Sequence, residues 1–270
     1  MLQEHFLWHY NYMSEFSSWT SSLLFALQHA VRKADFRQEL NVCIYTLDTR
    51  KLRKCQIYPA TTLLRIYGIE NTGKLKHEYY TSEYLAHGKL DCSASSKVVM
   101  LQDLIANGLY EQFEELNDRQ EKEFLYRRVQ DLRTLFFMHT SAVTESALAS
   151  LRRLGLCFGN QFAFPVSLAF LSLRLRSGAN GFPLQAIMEG FRGLRIPDGY
   201  LGHKFLTAVA EEISESLPEV KQYAELMTGI CIARAAELSS TRLNTSNEED
   251  LVNCFSILDS MHSKSVHCMH

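Results

Sequence analysis

Two short segments carry most of the side chains with which this chain could do chemistry. A dense cluster of hydroxyl groups runs from Phe16 to Ser22, and Glu83 lies in a later block that reads Ser-Glu-Tyr-Leu-Ala-His-Gly. Hydroxyl groups hold a carboxylate in place through charge-assisted hydrogen bonds, so the two segments predict a polar site where the fold brings them together. A structural interpretation also stays open, because hydroxyl residues before a helix are usually N-caps and a single glutamate is usually solvated or paired.

The sequence lacks the spacings that define several common sites. It contains no G-x-x-x-x-G-K-[ST], no G-x-G-x-x-G, no H-E-x-x-H and no G-x-S-x-G, so the signatures of P-loop, dinucleotide-fold, zincin and nucleophile-elbow proteins are missing. Metal-capable side chains gather near the end of the chain, at His262, His267, Cys268 and His270. We expect this segment to fray rather than to hold a metal, and the sequence therefore predicts no metal site.

Composition is that of an ordinary soluble globular protein. Of 270 residues, 46% are hydrophobic and 21% are charged, and the formal net charge is -2. This balance supplies no field that recruits polyanions, so we expect no nucleic-acid partner. The most apolar window, Phe162 to Leu173, is interrupted by Pro165 and is shorter than the roughly 20 residues that cross a bilayer, so we expect no membrane partner.

Cysteine usage and the first residues bear on the cellular compartment. The seven cysteines form no C-x-x-C pair and are odd in number, which is typical of a reducing environment rather than of a disulfide framework. Residues Met1 to Tyr12 lack the basic start and the apolar centre of a secretory signal. We therefore expect a cytoplasmic or nuclear protein.

The first part of the chain mixes predicted helices with predicted strands. Apolar residues at helical spacing from Leu23 predict a helix that the preceding serines cap, and Pro59 and Gly68 bracket a second, shorter helix. Three runs rich in apolar, β-branched and aromatic residues predict extended structure. These runs are Asn41 to Leu47, Tyr79 to Leu90 with a break at Gly88, and Lys97 to Leu101.

Helical spacing dominates beyond Gln102. Apolar residues recur at three- and four-residue steps in successive segments, which predicts helices with one apolar face each and hence a bundle. The segments begin near Leu125, Ala147, Pro165, Pro183, Leu201 and Pro218, and Ser246 with Glu249 forms a capping box before a further helix. We assign the Pro165 segment to a helix, although its tail from Leu171 to Arg176 alternates like a strand.

Residues 14 to 110 resemble an uncharacterised fungal domain family. The resemblance lies in a strand ending in serine and threonine, a helix like Leu23-Leu24-Phe25-Ala26-Leu27, a strand like Ile44-Tyr45-Thr46-Leu47-Asp48-Thr49, the block from Ser82 to Gly88, and a following block like Leu101-Gln102-Asp103-Leu104. The helical remainder is expected to share the family architecture. The resemblance by itself implies no function.

The order of these elements is similar, in turn, to the mono-ADP-ribosyltransferase and toxin fold, in which three motifs line an NAD cleft. The resemblance implies that Ser18, Thr20 and Ser21 match the serine-threonine-serine strand that supports the cofactor site. It also implies that Glu83 matches the glutamate that polarises the ribose hydroxyl. The first motif is an arginine or histidine on a preceding strand. His9 is the candidate for it here, and we expect the chain to lack that strand and to be N-terminally incomplete.

These observations give one architecture and two functions. We expect an α+β fold in which a small mixed sheet with flanking helices, partly ADP-ribosyltransferase-like, occupies residues 1–111. A helical bundle then spans residues 116–262, and residues 263–270 form a flexible tail. The expected function is a non-enzymatic interaction module that binds a protein partner without a cofactor. The alternative is an active NAD-dependent mono-ADP-ribosyltransferase with Glu83 as its catalytic carboxylate.

Overall fold

The computed structural model describes residues 2–7, 15–52, 57–69, 75–88, 90, 95–117, 124–176, 183–196 and 217–243. These residues form an α+β fold, as the sequence predicted, with strands only in the first part of the chain. The strands are β1 (Phe16–Thr20), β2 (Cys43–Leu47), β3 (Ile57–Pro59), β4 (Glu83–His87) and β5 (Ser96–Met100). The helices are α1 (Leu2–Phe6), α2 (Leu23–Phe36), α3 (Ala60–Ile66), α4 (Leu101–Ala106), α5 (Leu109–Gln112), α6 (Leu125–Met138), α7 (Glu145–Leu156), α8 (Asn160–Leu171), α9 (Leu184–Gly190) and α10 (Pro218–Leu243). No helix in this described part is both long and apolar enough to span a bilayer.

The strands form two small antiparallel sheets. The first has the order β1-β4-β3, so β4 is its central strand, and the second pairs β2 with β5. On the first sheet, Leu85 of β4 is fully buried in a small core that also holds residues from α1, α3 and the 3₁₀ turn His77–Tyr80. The side chains of this core are Phe6, Ala60, Leu64, Leu75, Tyr80 and Leu85.

The second sheet packs its inner side against the larger core. Ile44 and Val99 are cross-strand partners, and both are buried there. The chain then enters α4 directly from β5, and the Leu101 amide donates to the Val42 carbonyl at 2.9 Å. The sheet and the helices after it therefore share apolar contacts.

Two helices of the first part follow the predicted signals. The Ser22 hydroxyl caps α2 by accepting a hydrogen bond from the Phe25 amide at 3.2 Å, and the apolar stripe of α2 is buried. Pro59 lies at the N-cap position of α3. Gly68, which follows α3, has a φ of +62°, a conformation that glycine adopts without strain. Both helix predictions are confirmed.

The predicted extended run from Tyr79 to Leu90 is wrong in its first part. Residues His77–Tyr80 form a 3₁₀ turn, and the strand begins only at Glu83 and ends before Gly88, whose φ is +71°. The side chain of Tyr80 is drawn into the small core, where its hydroxyl donates to the Phe6 carbonyl at 3.1 Å. Burial of this aromatic ring favours the turn over an extended backbone.

The Pro165 segment is helical, but the proline lies inside α8 rather than at its start. Nearly every side chain from Phe162 to Leu171 is buried, and this packing offsets the backbone hydrogen bond that proline cannot make. The tail from Leu171 to Arg176 is neither helix nor strand beyond its first residue. Its Leu175 amide donates instead to the Phe136 carbonyl at 3.1 Å, which ties the tail to the end of α6.

The helices predicted near Leu125, Ala147, Pro183 and Pro218 are confirmed as α6, α7, α9 and α10. The segment near Leu201, the capping box at Ser246 and the cluster at the end of the chain lie outside the described residues. The larger core contains side chains from α2, β2 and β5 together with side chains from α6 to α10. The division of the chain at residues 111 and 116 stays a prediction.

A buried polar network joins three distant parts of the chain. Arg133 of α6 and Glu219 of α10 are 5% and 3% exposed and form an ion pair with an N–O distance of 2.7 Å. Ser22, which caps α2, is fully buried and donates to the Glu219 carboxylate at 2.6 Å. The Arg133 guanidinium also donates to Ser22 Oγ at 3.3 Å. One carboxylate therefore links the start of α2 to α6 and α10, next to the end of β1.

Candidate functional site

The fold brings the two predicted site segments together as neighbouring strands. In the antiparallel register of β1 and β4, Thr20 lies opposite Glu83, Ser18 opposite Leu85 and Phe16 opposite His87. Directly opposed residues lie on the same side of a sheet, so these six side chains share one side, which we call the carboxylate face. Its hydroxyl groups and its carboxylate come from segments more than sixty positions apart in the sequence.

Glu83 is the central ionisable group of the carboxylate face. Burial raises the pKa of Glu83 above its ordinary value of 4.5, and a side-chain hydrogen bond from Ser18 acts in the opposite direction. The Ser18 hydroxyl therefore favours the ionised carboxylate that the surrounding protein disfavours. The fold therefore brings Ser18 beside Glu83, and the site roles of the two residues stay predictions.

Helix α1 adds a residue that the sequence analysis missed. His5 Nε2 lies 3.0 Å from Ser18 Oγ, and the imidazole ring contacts the Phe16 ring edge-on at a centroid distance of 5.8 Å. Burial lowers the pKa of His5, which favours the neutral imidazole. No motif signals this residue, because it precedes Ser18 by 13 positions and lies in a separate helix.

Helix α1 is held against the sheet by its last residue. Phe6 is 2% exposed and packs edge-on against Tyr80 at a centroid distance of 4.8 Å, and the Tyr80 hydroxyl donates to the Phe6 carbonyl. Burial and then the negative charge of Glu83 raise the pKa of Tyr80 to about 12. Tyr80 is thus a neutral phenol that anchors α1 close to the carboxylate.

The other predicted hydroxyls have local partners. Thr20 Oγ1 accepts a hydrogen bond from the Ser22 amide at 3.1 Å, which shapes the turn between β1 and α2. The side chain of Ser21 is exposed, and its backbone amide donates to the Ser82 carbonyl at 2.9 Å. Of the three predicted hydroxyl residues, Ser18 has the hydrogen bond to Glu83, while Thr20 lies opposite Glu83 in the register.

The outer end of the carboxylate face carries a second ionisable pair. His87 Nε2 lies 2.9 Å from Glu15 Oε2, and both side chains are more than half exposed. The His87 ring also contacts Phe16 at a centroid distance of 5.3 Å. The predicted candidate for the first motif, His9, lies outside the described residues. Within the residues that are described, no group of three or more histidine, cysteine or acidic side chains is arranged to hold a metal ion.

Comparison with known protein families finds a match in the first part of the chain. Residues 1–104 match the family model of a domain of unknown function, DUF7587. This match supports the expectation of an uncharacterised domain family over the segment that contains α1, both sheets and the carboxylate face. No curated protein and no solved structure matches the chain.

Proposed function

We propose that this protein is an ADP-ribosyltransferase-like protein whose carboxylate face binds NAD, with Glu83 as the catalytic carboxylate. The observation that carries the proposal is the β1–β4 pair, which places Thr20 opposite Glu83 and Ser18 next to it on the same face, where Ser18 favours the ionised carboxylate. A serine strand beside a glutamate strand is the arrangement that the resemblance to the transferase fold implies. We also propose that the chain belongs to the fungal family that residues 14 to 110 resemble.

The proposed reaction requires mainly a negative charge placed beside the ribose. When the bond between C1′ of the ribose and the nicotinamide nitrogen breaks, nicotinamide leaves as a neutral molecule and positive charge develops on the sugar. A carboxylate beside the ribose stabilises that oxocarbenium-like transition state more than the ground state. The acceptor nucleophile then bonds to C1′ and releases its proton to solvent water. Ser18 would hold Glu83 ionised and oriented for this step, with Thr20 and Ser21 as neighbouring supports.

The position of β1 fits a transferase-like sheet that lacks one strand. In the described part of the first sheet β1 pairs with β4 alone and forms an edge. A strand carrying the first motif would add at this edge. We propose residues 1–111 as the transferase-like domain, residues 116–262 as the helical bundle and residues 263–270 as a tail. A cytoplasmic or nuclear location fits the free thiols of Cys43, Cys157 and Cys231.

The test is nicotinamide release from NAD by the purified full chain. The wild type should release nicotinamide above the background rate, and Glu83→Gln should lower that rate by roughly 10²-fold or more, the usual cost of removing transition-state electrostatics. Glu78→Gln is the matched control, because Glu78 lies in the preceding 3₁₀ turn with a 61% exposed side chain. Equal rates for the wild type and Glu83→Gln would remove the catalytic role.

A second candidate, the non-enzymatic interaction module, is favoured by the outer face of the second sheet. Tyr45 and Val98 are cross-strand partners there and are 59% and 40% exposed, and Cys43 and Met100 form the next pair on the same side. A two-stranded sheet that is apolar on both faces is suited to a protein partner. In pull-downs, the wild type should recover a protein partner. The double variant that carries Tyr45→Lys and Val98→Lys should not recover it. Ile66→Lys, at another exposed apolar position, is the control, and identical recoveries from all three would contradict this role.

A further inference from the structure

The hydroxyl of Ser18 is shared between two ionisable groups. It donates to Glu83 on one side, and His5 Nε2 lies 3.0 Å away on the other. We propose that His5, Ser18 and Glu83 form one hydrogen-bonded relay through which His5 sets the ionisation state of Glu83. His5 is then a positioning residue for the Glu83 carboxylate. The hydrogen-bonded relay does not depend on the proposed function, but its effect on catalysis by Glu83 does.

The coupling between His5 and Glu83 arises because a serine hydroxyl has only one proton to donate. Ser18 has one proton to donate, so it donates either to Glu83 or to His5 and accepts from the other. When Glu83 is ionised, Ser18 donates to the carboxylate and His5 donates from Nε2 to Ser18 Oγ. When Glu83 is protonated, its hydroxyl donates to Ser18, and Ser18 donates to a bare His5 Nε2, with the ring proton on Nδ1. The histidine tautomer is therefore tied to the charge on Glu83.

The state with one additional proton can be drawn in two balanced forms. In the first form His5 is an imidazolium and Glu83 is a carboxylate. In the second form the Nε2–H bond has broken, its proton is bound to Ser18 Oγ, and the former hydroxyl proton of Ser18 is bound to Glu83. Both groups are then neutral. Burial raises the pKa of Glu83 and lowers the pKa of His5, and both effects favour this neutral form.

The elements around the relay carry further titratable groups. Helix α1 carries Glu4, the 3₁₀ turn carries His77, Glu78 and Tyr80, and the exposed Glu15–His87 pair lies at the outer end of the carboxylate face. Because its pKa is raised to about 12, Tyr80 is neutral in the range where Glu83 and His5 titrate. Tyr58 of β3 lies opposite Leu85 in the register, one strand further from Ser18. Ser18 contacts both Glu83 and His5 and so connects these two titrating side chains.

The relay is built on an anchored helix rather than on a loose terminus. Phe6, the neighbour of His5, is buried in the small core and bonded to Tyr80 through its carbonyl. The Leu7 amide donates to the Gln3 carbonyl at 3.0 Å and closes the turn of α1 around His5. The imidazole is therefore fixed next to Ser18 by the packing of α1.

The test is a pH titration of the full chain by NMR without any ligand, following the Glu83 side-chain carboxyl carbon and the ring nitrogens of His5. In the wild type, the titration curve of each group should have a second inflection at the midpoint of the other group. His5 should change from the Nε2–H to the Nδ1–H tautomer as Glu83 becomes protonated. Ser18→Ala should abolish the tautomer change and move the Glu83 midpoint to higher pH. His5→Gln should leave Glu83 with one simple inflection.

His87→Gln is the matched control, because it removes a histidine from the same face and should leave both His5 and Glu83 unchanged. Unlinked titrations in the wild type, or a His5 tautomer that does not respond to Ser18→Ala, would overturn the relay. The readouts also separate the two proposals. A coupled titration without nicotinamide release contradicts the proposed activity alone, whereas release with uncoupled titrations contradicts the relay alone.

Discussion

Removal of Arg133 is the change whose effect on stability the structure defines best. In the wild type the Glu219 carboxylate accepts from Arg133 Nε at 3.0 Å, from Arg133 Nη2 at 2.7 Å and from Ser22 Oγ at 2.6 Å, and all three residues are at least 95% buried. Arg133→Met keeps most of the side-chain volume but leaves a buried carboxylate with Ser22 as its remaining partner. Loss of one partner from a buried ion pair costs about 3–5 kcal/mol.

The assay is urea unfolding of four proteins: the wild type, Arg133→Met, Glu219→Leu and the double variant. We expect each single change to lower the free energy of unfolding by about 3–5 kcal/mol. The double variant should recover most of the loss, because no unpaired charge then stays buried. The coupling energy from this cycle reports the pair itself.

Lys33→Met is the control for loss of a cation from an ion pair. The Lys33–Glu39 pair has an N–O distance of 3.1 Å, but its side chains are 36% and 39% exposed. We expect a loss of less than about 1 kcal/mol for it. If Arg133→Met costs no more than Lys33→Met, then the buried network does not hold α2, α6 and α10 together as we describe.

Two further predictions concern helix packing and pH. Gly155→Ala should lower the free energy of unfolding by about 1–3 kcal/mol, because the added Cβ would meet Ser167 Oγ and lie 2.6 Å from the Ala163 carbonyl oxygen. Gly229→Ala, which meets the flexible tip of Leu184 at 2.9 Å, should change it by less than about 1 kcal/mol, and equal losses in urea unfolding would contradict this. Glu83→Gln should stabilise the protein more at pH 7 than at pH 4. The pKa of Glu83 is raised in the fold, so the native state binds the proton more tightly than the unfolded state does. The ionised carboxylate therefore destabilises the native state above the folded pKa, and this loss of stability disappears below pH 4.5. A stability difference that is the same at both pH values would argue against a raised pKa.

The local elements were predictable where one residue type dictates the backbone. Ser22 before an apolar stripe, Pro59 before α3 and Gly68 after it each have a local physical role, and each appears where the sequence places it. Pro165 misled the prediction of where α8 begins, because proline lacks a backbone N–H and therefore favours the first turn of a helix. Tertiary burial of α8 on all sides outweighs that preference.

The candidate site was predictable in part. The pairing of the hydroxyl segment with Glu83 followed from the resemblance, whereas the residues alone favoured helix capping equally well. Ser22 serves as a cap, and Ser18 contacts Glu83, so both interpretations apply to different hydroxyls of one cluster. His5 and the Arg133–Glu219 pair carry no sequence signal, since their partners lie 13 and 86 positions away and only the packing of the helices brings them together.

The most direct test of the account is to map NAD binding on the carboxylate face by amide NMR. The central claim is that NAD binds at the β1–β4 pair beside Glu83. Titration with NAD to roughly 1 mM, the upper end of common substrate affinities, should shift the amides of Ser18, Thr20 and Glu83 together with those of α1. The shifts should weaken in Ser18→Ala and persist in Ile66→Lys. Shifts confined to other parts of the chain, or none at this concentration, would contradict the claim.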